Sequence, residues 1–310
     1  MDIDPRHLFC LLTIAQQGSF SRAAAQHKVS QPALSRTISQ LEQTIGARVL
    51  ERGRFGARLN DLGMTLARHA EALQVQLARA GEEADLYRQK LGGALVLGVT
   101  PVTAADFVPL AVCKLLKREP QASVRILEMP FERGRAALKR GEIDLYVGPL
   151  QQLGESSDFH EETLVQDPLC VIVATGHPIA SRRAVTLQEA SAFEWALPIG
   201  SNALVRQLQA LFLTASLPYP RAMVTTDSML ALKGLVKRGE ALSIMPRTLV
   251  TLECEAGLLR AIQLKDAGNS RVIGFAWSPD RPLGPIASAF VDVLREGATA
   301  AQRPVKPRKA

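Results

Sequence analysis

The chain has 310 residues, 47% of them hydrophobic and 22% charged, a composition that supports packed globular domains, about two or three by length. Its net charge of +7 and pI near 9.5 suit a polyanionic partner without identifying one. The N-terminal MDIDPRHLF lacks the apolar core of a signal peptide, and no apolar run approaches the roughly 18–20 residues that span a bilayer. Export and membrane insertion are therefore not expected, and the cytoplasm is.

Pro5 to Gln17 carries Leu8, Leu11, Leu12 and Ala15 at helical spacing, and Gly18 ends the helix. Ser19 or Ser21 can cap a short second helix through Ala23–Ala25, whose small side chains allow close packing. Ser30 is a natural N-cap for a third helix, with Pro32 in the first turn, where a missing N–H costs nothing. Along that helix Leu34, Ile38, Leu41 and Ile45 stack on one face, while Gln31, Ser35, Arg36 and Ser39 occupy the other. The pair of helices reads as a helix-turn-helix that docks on duplex DNA. Val49–Arg52 and Ala57–Leu59, on either side of Gly53-Arg54-Phe55-Gly56, read as a β-wing.

Asn60 can cap a long helix running to about Leu91. Its seam of Leu66, Ala70, Leu73, Leu77, Ala80, Ala84, Tyr87 and Leu91 alternates steps of four and three, the heptad pattern of a coiled coil. Arg68, Glu71, Gln76, Arg79, Glu82, Glu83 and Arg88 keep the rest polar, which favours a dimer over packing on the chain's own domain. Gly81 weakens the helix by about 1 kcal/mol relative to alanine.

From Gly92 the pattern becomes α/β. Expected strands are Ala94–Val99, Ser123–Glu128 and Asp144–Val147, with helices to about Arg118 and over Phe131–Arg140. A second series runs from LCVIVA at Leu169 through Trp195–Pro198, a helix near Leu204–Ala215 and Ala222–Thr226. It continues with a helix over Met229–Arg238 and the strand Leu242–Met245, followed by strand Arg271–Trp277 and helix Pro285–Arg295. Short strands alternating with helices predict a mainly parallel sheet. The domains expected are residues 1–60, a linker helix 61–91, an α/β domain 92–297 and a basic disordered tail 298–310. The α/β domain divides into subdomain I (92–167 and 268–297) and subdomain II (168–267).

The stretch GSFSRAAAQHKVSQPALSRTISQLEQTIGARVLER, with the wing and capped helix after it, resembles the LysR-type transcriptional regulators. The α/β pattern through GHPIA, IMP and the last strand and helix is also similar to that family. The resemblance implies a winged helix-turn-helix, a linker helix that pairs two chains, and an effector-binding domain like type 2 periplasmic binding proteins. It also implies a homodimer or homotetramer on double-stranded promoter DNA, with RNA polymerase as a further partner. Two positions depart from the family pattern. Phe55 stands where many members have the wing arginine, and Asn60 replaces the capping threonine.

On this reading Gln31 and Ser35 face base edges, Arg36 reaches guanine or a phosphate, Ser21, Arg22, Arg52, Arg54 and Arg58 clamp phosphates, and Ser30 and Pro32 open the recognition helix. The two half-domains face each other across a cleft. Thr100, Pro101, Val102 and Thr103 line one side, and Gly200, Ser201, Asn202 and Thr226 the other. Pro130, where some members offer a hydrogen-bonding residue, makes the pocket less polar. The expected effector is an organic acid or hydroxylated metabolite, acting through hinges near Asp167–Leu169 and Asp266–Ser270.

No cofactor or metal is expected. His7, His27, His69, His160 and His177 lack ligand spacing, and there is no GxSxG, P-loop or GxGxxG, which argues against an enzyme. A free-standing solute-binding protein would leave residues 1–90 unexplained; a DNA binder without a ligand is the closer alternative. Cys10, Cys113, Cys170 and Cys254 are far apart, as expected of reduced, buried thiols. A redox pair requires the fold to bring two together.

Overall fold

A computed structural model describes residues 2–53, 56–88, 93–150, 158–200, 203–266 and 270–301, and the chain divides into two compact units, the first made chiefly of residues 1–90. In the first unit α1 (Pro5–Gln17) starts at Asp4, whose carboxylate accepts the Arg6 N–H at 2.9 Å, and ends at Gly18 with φ +60°. Helix α2 (Phe20–Gln26) has Ser19 in the cap position, but that side chain makes no capping hydrogen bond. Ser21 lies inside the helix. Its hydroxyl donates instead to Gln31 Oε1 at 3.0 Å, so neither serine caps as expected. Helix α3 (Gln31–Ile45) is capped by Ser30 Oγ, which accepts from the Ala33 N–H at 3.3 Å. Ala23 and Ala24 are buried with Leu34, Ile38 and Leu41, and small side chains there let α2 approach its neighbours closely.

The wing is an antiparallel pair, β1 (Leu50–Gly53), shifted by one residue from the expected strand, and β2 (Gly56–Leu59), which starts one residue earlier than expected and ends where expected. Asn60 joins it to α4 (Asp61–Arg88). Its Oδ1 accepts the Gly63 N–H and its Nδ2 donates to the Arg48 carbonyl, both at 2.8 Å. The seam of α4 divides. Ala70 is fully buried in the core of the same unit and Leu66 packs against that core, so Ala70 has no surface left for a second chain. Leu73 and Leu77 are 39% and 60% exposed, and Ala80 and Ala84 are exposed. The side chain of Tyr87 lies outside the described residues.

The second unit is built on a sheet ordered β4-β3-β5-β12-β6-β11-β7, with β10 also pairing β6. In chain order its elements begin with β3 (Gly93–Val99), α5 (Pro101–Ala105), α6 (Phe107–Arg118), β4 (Ala122–Glu128), α7 (Phe131–Arg140), β5 (Leu145–Pro149) and β6 (His160–Ala174). They continue with β7 (Ala184–Val185), α8 (Leu187–Ala190), β8 (Trp195–Pro198), α9 (Ala203–Thr214), β9 (Ala222–Thr226), α10 (Met229–Arg238) and β10 (Ser243–Pro246). A 3-10 turn (Arg247–Val250), α11 (Thr251–Glu255), β11 (Leu259–Leu264), β12 (Ser270–Trp277) and α12 (Pro285–Ala301) complete it. Residues 298–301, expected to begin a disordered tail, extend α12, and residues 302–310 lie outside the described residues.

The sheet is mixed rather than mainly parallel. β3 runs parallel to β4 and β5, but β12 returns antiparallel between β5 and β6, and β10 and β11 run antiparallel to β6. Apolar runs mark a strand without giving its direction, which is set here by where the chain re-enters the first half. β6 is shared: its first part pairs with β12, and its last residues pair with β10 and β11. Leu95, Leu97 and Val99 of β3 lie under Leu115 and Phe290 of α6 and α12. Val96 and Tyr146 form part of a separate cluster with Ala137 and Leu138 of α7. In the other half Val171 and Val173 pack with Leu208 and Phe212 of α9, while Ile172 packs with Leu232 and Val236 of α10. Val102 of α5 belongs to that last cluster, so the first half lends a side chain to the core of the second.

Among the described residues no helix is long and apolar enough to cross a membrane, and no cluster of His, Cys, Asp and Glu has metal-binding geometry. The thiols are not uniformly buried: Cys113 is exposed and only Cys170 is buried. Burial pushes the Cys170 thiol up to about 11 and raises Cys254, which packs against the same cluster, so both stay protonated near neutral pH.

Candidate DNA interface and effector cleft

The first site is the outer face of α3. Burying Leu34, Ile38 and Leu41 turns Gln31, Pro32 and Arg36 to solvent and leaves Ser35 half-buried near the helix start. The Ser21 hydroxyl holds Gln31 Oε1, which leaves the amide nitrogen of Gln31 to face outward. Ser30 is exposed but its oxygen caps the helix. Arg22, expected to clamp phosphate, donates from Nη2 to the Gln17 carbonyl and so closes the end of α1. Arg58 is exposed on β2. Arg54 and the side chain of Arg52 lie outside the described residues.

One residue of this unit went unread in the sequence. His27 Nε2 lies 2.8 Å from Thr13 Oγ1, and that hydroxyl donates to the Phe9 carbonyl, so Nε2 carries the proton and ties the turn after α2 to α1.

The second site is a cavity of about 230 Å³ in the α/β unit. Thr100, Pro101 and Val102 line it, as expected. Thr103 does not. It is 1% exposed, and its Oγ1 donates to the Val147 carbonyl at 2.8 Å, so its hydroxyl anchors α5 to β5 rather than meeting a ligand. Gly200 and Thr226 also fall outside the lining. Gly200 is an exposed turn residue with φ +108°, and the Thr226 hydroxyl accepts the Ser228 N–H at 3.1 Å. Ser201 and Asn202 lie outside the described residues.

The remaining wall comes from Glu128–Glu132 at the junction of β4 and α7, from Pro149, and from Ala203, Leu204, Asp227 and Met229 at the starts of α9 and α10. Arg271 of β12 completes it. Pro130, singled out in the sequence as reducing polarity, is one of these lining residues. Glu132 of α7 and Arg206 of α9 approach to 3.3 Å beside the cavity; both are about half exposed, so this pair contributes little, about 0–1 kcal/mol.

Arg271 and Asp167 are register partners on the two strands that join the halves. The Arg271 side chain is 8% exposed and that of Asp167 is 0%, with Nη2 and Oδ2 4.0 Å apart. Asp167 also accepts the backbone N–H and the hydroxyl of Thr248. Burial raises the Asp167 pKa above its ordinary value, with the Thr248 bonds and Arg271 opposing that rise. Burial lowers the pKa of Arg271, with Asp167 opposing. Among the described residues the buried Nε and Nη2 of Arg271 have no hydrogen-bond partner, and neither has the buried hydroxyl of Tyr146, whose ionisation Arg271 influences. A lone arginine at the head of the apolar run SRVIGFAW was the available sequence signal for this residue.

Two family descriptions match the chain: "Bacterial regulatory helix-turn-helix protein, lysR family" over residues 5–64 and "LysR substrate binding domain" over residues 88–299. The chain belongs to the LysR family. It is 30% identical over 290 residues to the SDS degradation transcriptional activation protein of Pseudomonas sp. (strain ATCC 19151), covering 93% of this chain and 94% of that one. It is also 25% identical to the HTH-type transcriptional regulator GbpR of Azospirillum brasilense, over 94% of this chain and 85% of the relative. Full-length CbnR in complex with its target DNA has the same fold, with a TM-score of 0.66, 21% identity, and coverage of 95% of this chain and 99% of CbnR. This LysR-type chain is thus a DNA-binding transcriptional regulator with an effector-binding domain, and its relatives are regulators rather than enzymes.

Proposed function

We propose that this regulator docks α3 in the major groove of promoter DNA, and that a small organic acid or hydroxylated metabolite in the cleft of the α/β unit modulates that docking. The observation that carries the DNA reading is the polar outer face of α3, with Gln31, Ser35 and Arg36 opposite a fully used apolar face. CbnR, which shares this fold, forms a complex with its target DNA, in keeping with this reading. Leu73 and Leu77, exposed on α4, support self-association, and the homodimer or homotetramer would place two copies of α3 on one operator. Work at a promoter places the protein in the cytoplasm with RNA polymerase as a partner. The effector acts by linkage, preferring one arrangement of the two halves and so changing where the DNA-binding units sit.

Titration of the full-length protein on the promoter fragment beside its own gene tests the DNA reading. Affinity should fall steeply with salt, and Arg36→Ala should cost about 1–3 kcal/mol of binding. Arg58→Ala should weaken binding to all sequences alike and reduce the salt slope by about 1. A flat salt response refutes the assignment.

A further inference from the structure

We infer that the α/β unit holds a second small-molecule site, apart from the effector cleft, and that it takes an amphipathic anion with an apolar ring or chain and one anionic head. A cavity of about 640 Å³ is walled by α6, α12, the middle of β6 and the 3-10 turn after β10. No residue lines both this cavity and the cleft. Asp167 stands in this wall and Arg271 in that of the cleft, so their buried pair lies between the two. The floor sets the body of the ligand. Phe107, Leu110 and Ala111 come from α6, Val293 and Leu294 from α12, and Val165 from β6. Leu110 is 53% exposed, a large apolar side chain that gains by being covered.

The charges in the wall set the head. Lys114 of α6 and Arg247 of the 3-10 turn line the cavity, and among the described residues neither side chain has a hydrogen bond or an ion pair. Arg247 is exposed and Lys114 half-buried, so both are open to a ligand. Glu296, whose charge Lys114 stabilises, is held instead by Arg118 at 2.6 and 3.0 Å. Two acids share the wall with these cations. The Asp167 side chain is wholly buried and accepts from Thr248, so it offers the cavity no charge to meet. Asp106 remains, two helical turns before Lys114 and about 12 Å from it by the helical rise. Burial, and then the charge of Glu255, raise the pKa of Asp106. That end of the cavity is acidic and directs an anionic head toward Lys114.

The test uses the full-length protein and the fluorescent dye anilinonaphthalene sulfonate, with N-phenylnaphthylamine as the same body without the sulfonate. Gly297 of α12 lines the cavity, and a Cβ there would meet nothing within 4 Å. Gly297→Phe therefore fills the space without a clash and replaces a glycine inside a helix. The sulfonate should bind saturably, about tenfold tighter than the neutral dye. Gly297→Phe should remove that binding, while Met229→Trp, which fills the cleft, should leave it intact. Lys114→Gln with Arg247→Gln should weaken the sulfonate about tenfold and leave the neutral dye unchanged. The charge variants alter open side chains, so they read the site even where Gly297→Phe fails to fold. Binding that survives Gly297→Phe, or that Met229→Trp removes, overturns the assignment to this cavity. Binding that Gly297→Phe removes, but with the neutral dye as tight or the charge variants unchanged, overturns the anionic head. No saturable binding of the sulfonate overturns the inference as a whole.

Discussion

Gly63 is where the wing and the long helix meet most tightly. A Cβ at this position would stand 2.1 Å from the Val49 carbonyl oxygen and 2.8 Å from Leu59 Cδ2, and the carbonyl belongs to a backbone that cannot swing aside. Its N–H is also the one that Asn60 caps. Gly63→Ala should therefore shift the start of α4 against the wing and destabilise the unit by about 1–3 kcal/mol, read by urea denaturation. A variant as stable as the parent would mean that the approach is looser than drawn. Asn60 was legible in the sequence because capping is local, set by a side chain and the next three residues. Gly63 was not, because its need for glycine comes from Val49, fourteen residues away. Thr103 misled for the same reason: a hydroxyl beside a helix start reads as a ligand group until the Val147 carbonyl is found to occupy it.

The long helix α4 shows what a repeat can and cannot specify. The heptad pattern through Leu66, Ala70, Leu73 and Leu77 is regular, yet the first two positions serve the chain's own core and the next two face solvent. A period gives a face without giving its partner. If the exposed part is the dimer seam, a charge there should be far more disruptive than on the polar faces. Leu77→Glu should halve the mass seen by sedimentation and lower operator affinity, while Arg68→Ala leaves the mass unchanged. An unaltered mass for Leu77→Glu would remove α4 from the interface. Elsewhere the local pattern was sufficient: Trp195–Pro198, Ala222–Thr226 and Met229–Arg238 form the elements expected of them. The start of β6, HEETLVQDP, was not legible, since only Phe159, Leu164 and Asp167 turn inward there and the rest reads as a polar loop.

At the scale of the α/β unit, the two strands joining the halves carry a buried charge pair, Asp167 and Arg271, beside the apolar side chains Leu164 and Phe275 that they also share. Burial raises the pKa of Asp167 above the ordinary 3.8, with the Thr248 hydrogen bonds and Arg271 opposing that rise. As the pH falls through that raised value the folded chain takes up a proton before the unfolded chain does. Stability therefore rises relative to a chain lacking the group as pH falls through this window, and declines as pH rises through it. Melting curves between pH 4 and 7 should show the parent gaining on Asp167→Asn towards the acid end. A difference independent of pH would mean that Asp167 does not titrate differently on folding.

The continuity of β6 bears on how this unit could be taken apart. One unbroken strand runs through both halves of the sheet, and Val102 is lent from the first half to the core of the second. Neither half therefore holds a complete set of its own parts. Chains cut between them and expressed as separate fragments would each lack a strand edge and a piece of core. Such fragments would recover activity only by finding each other, and natural rearrangements of these genes would be expected to carry the two halves together.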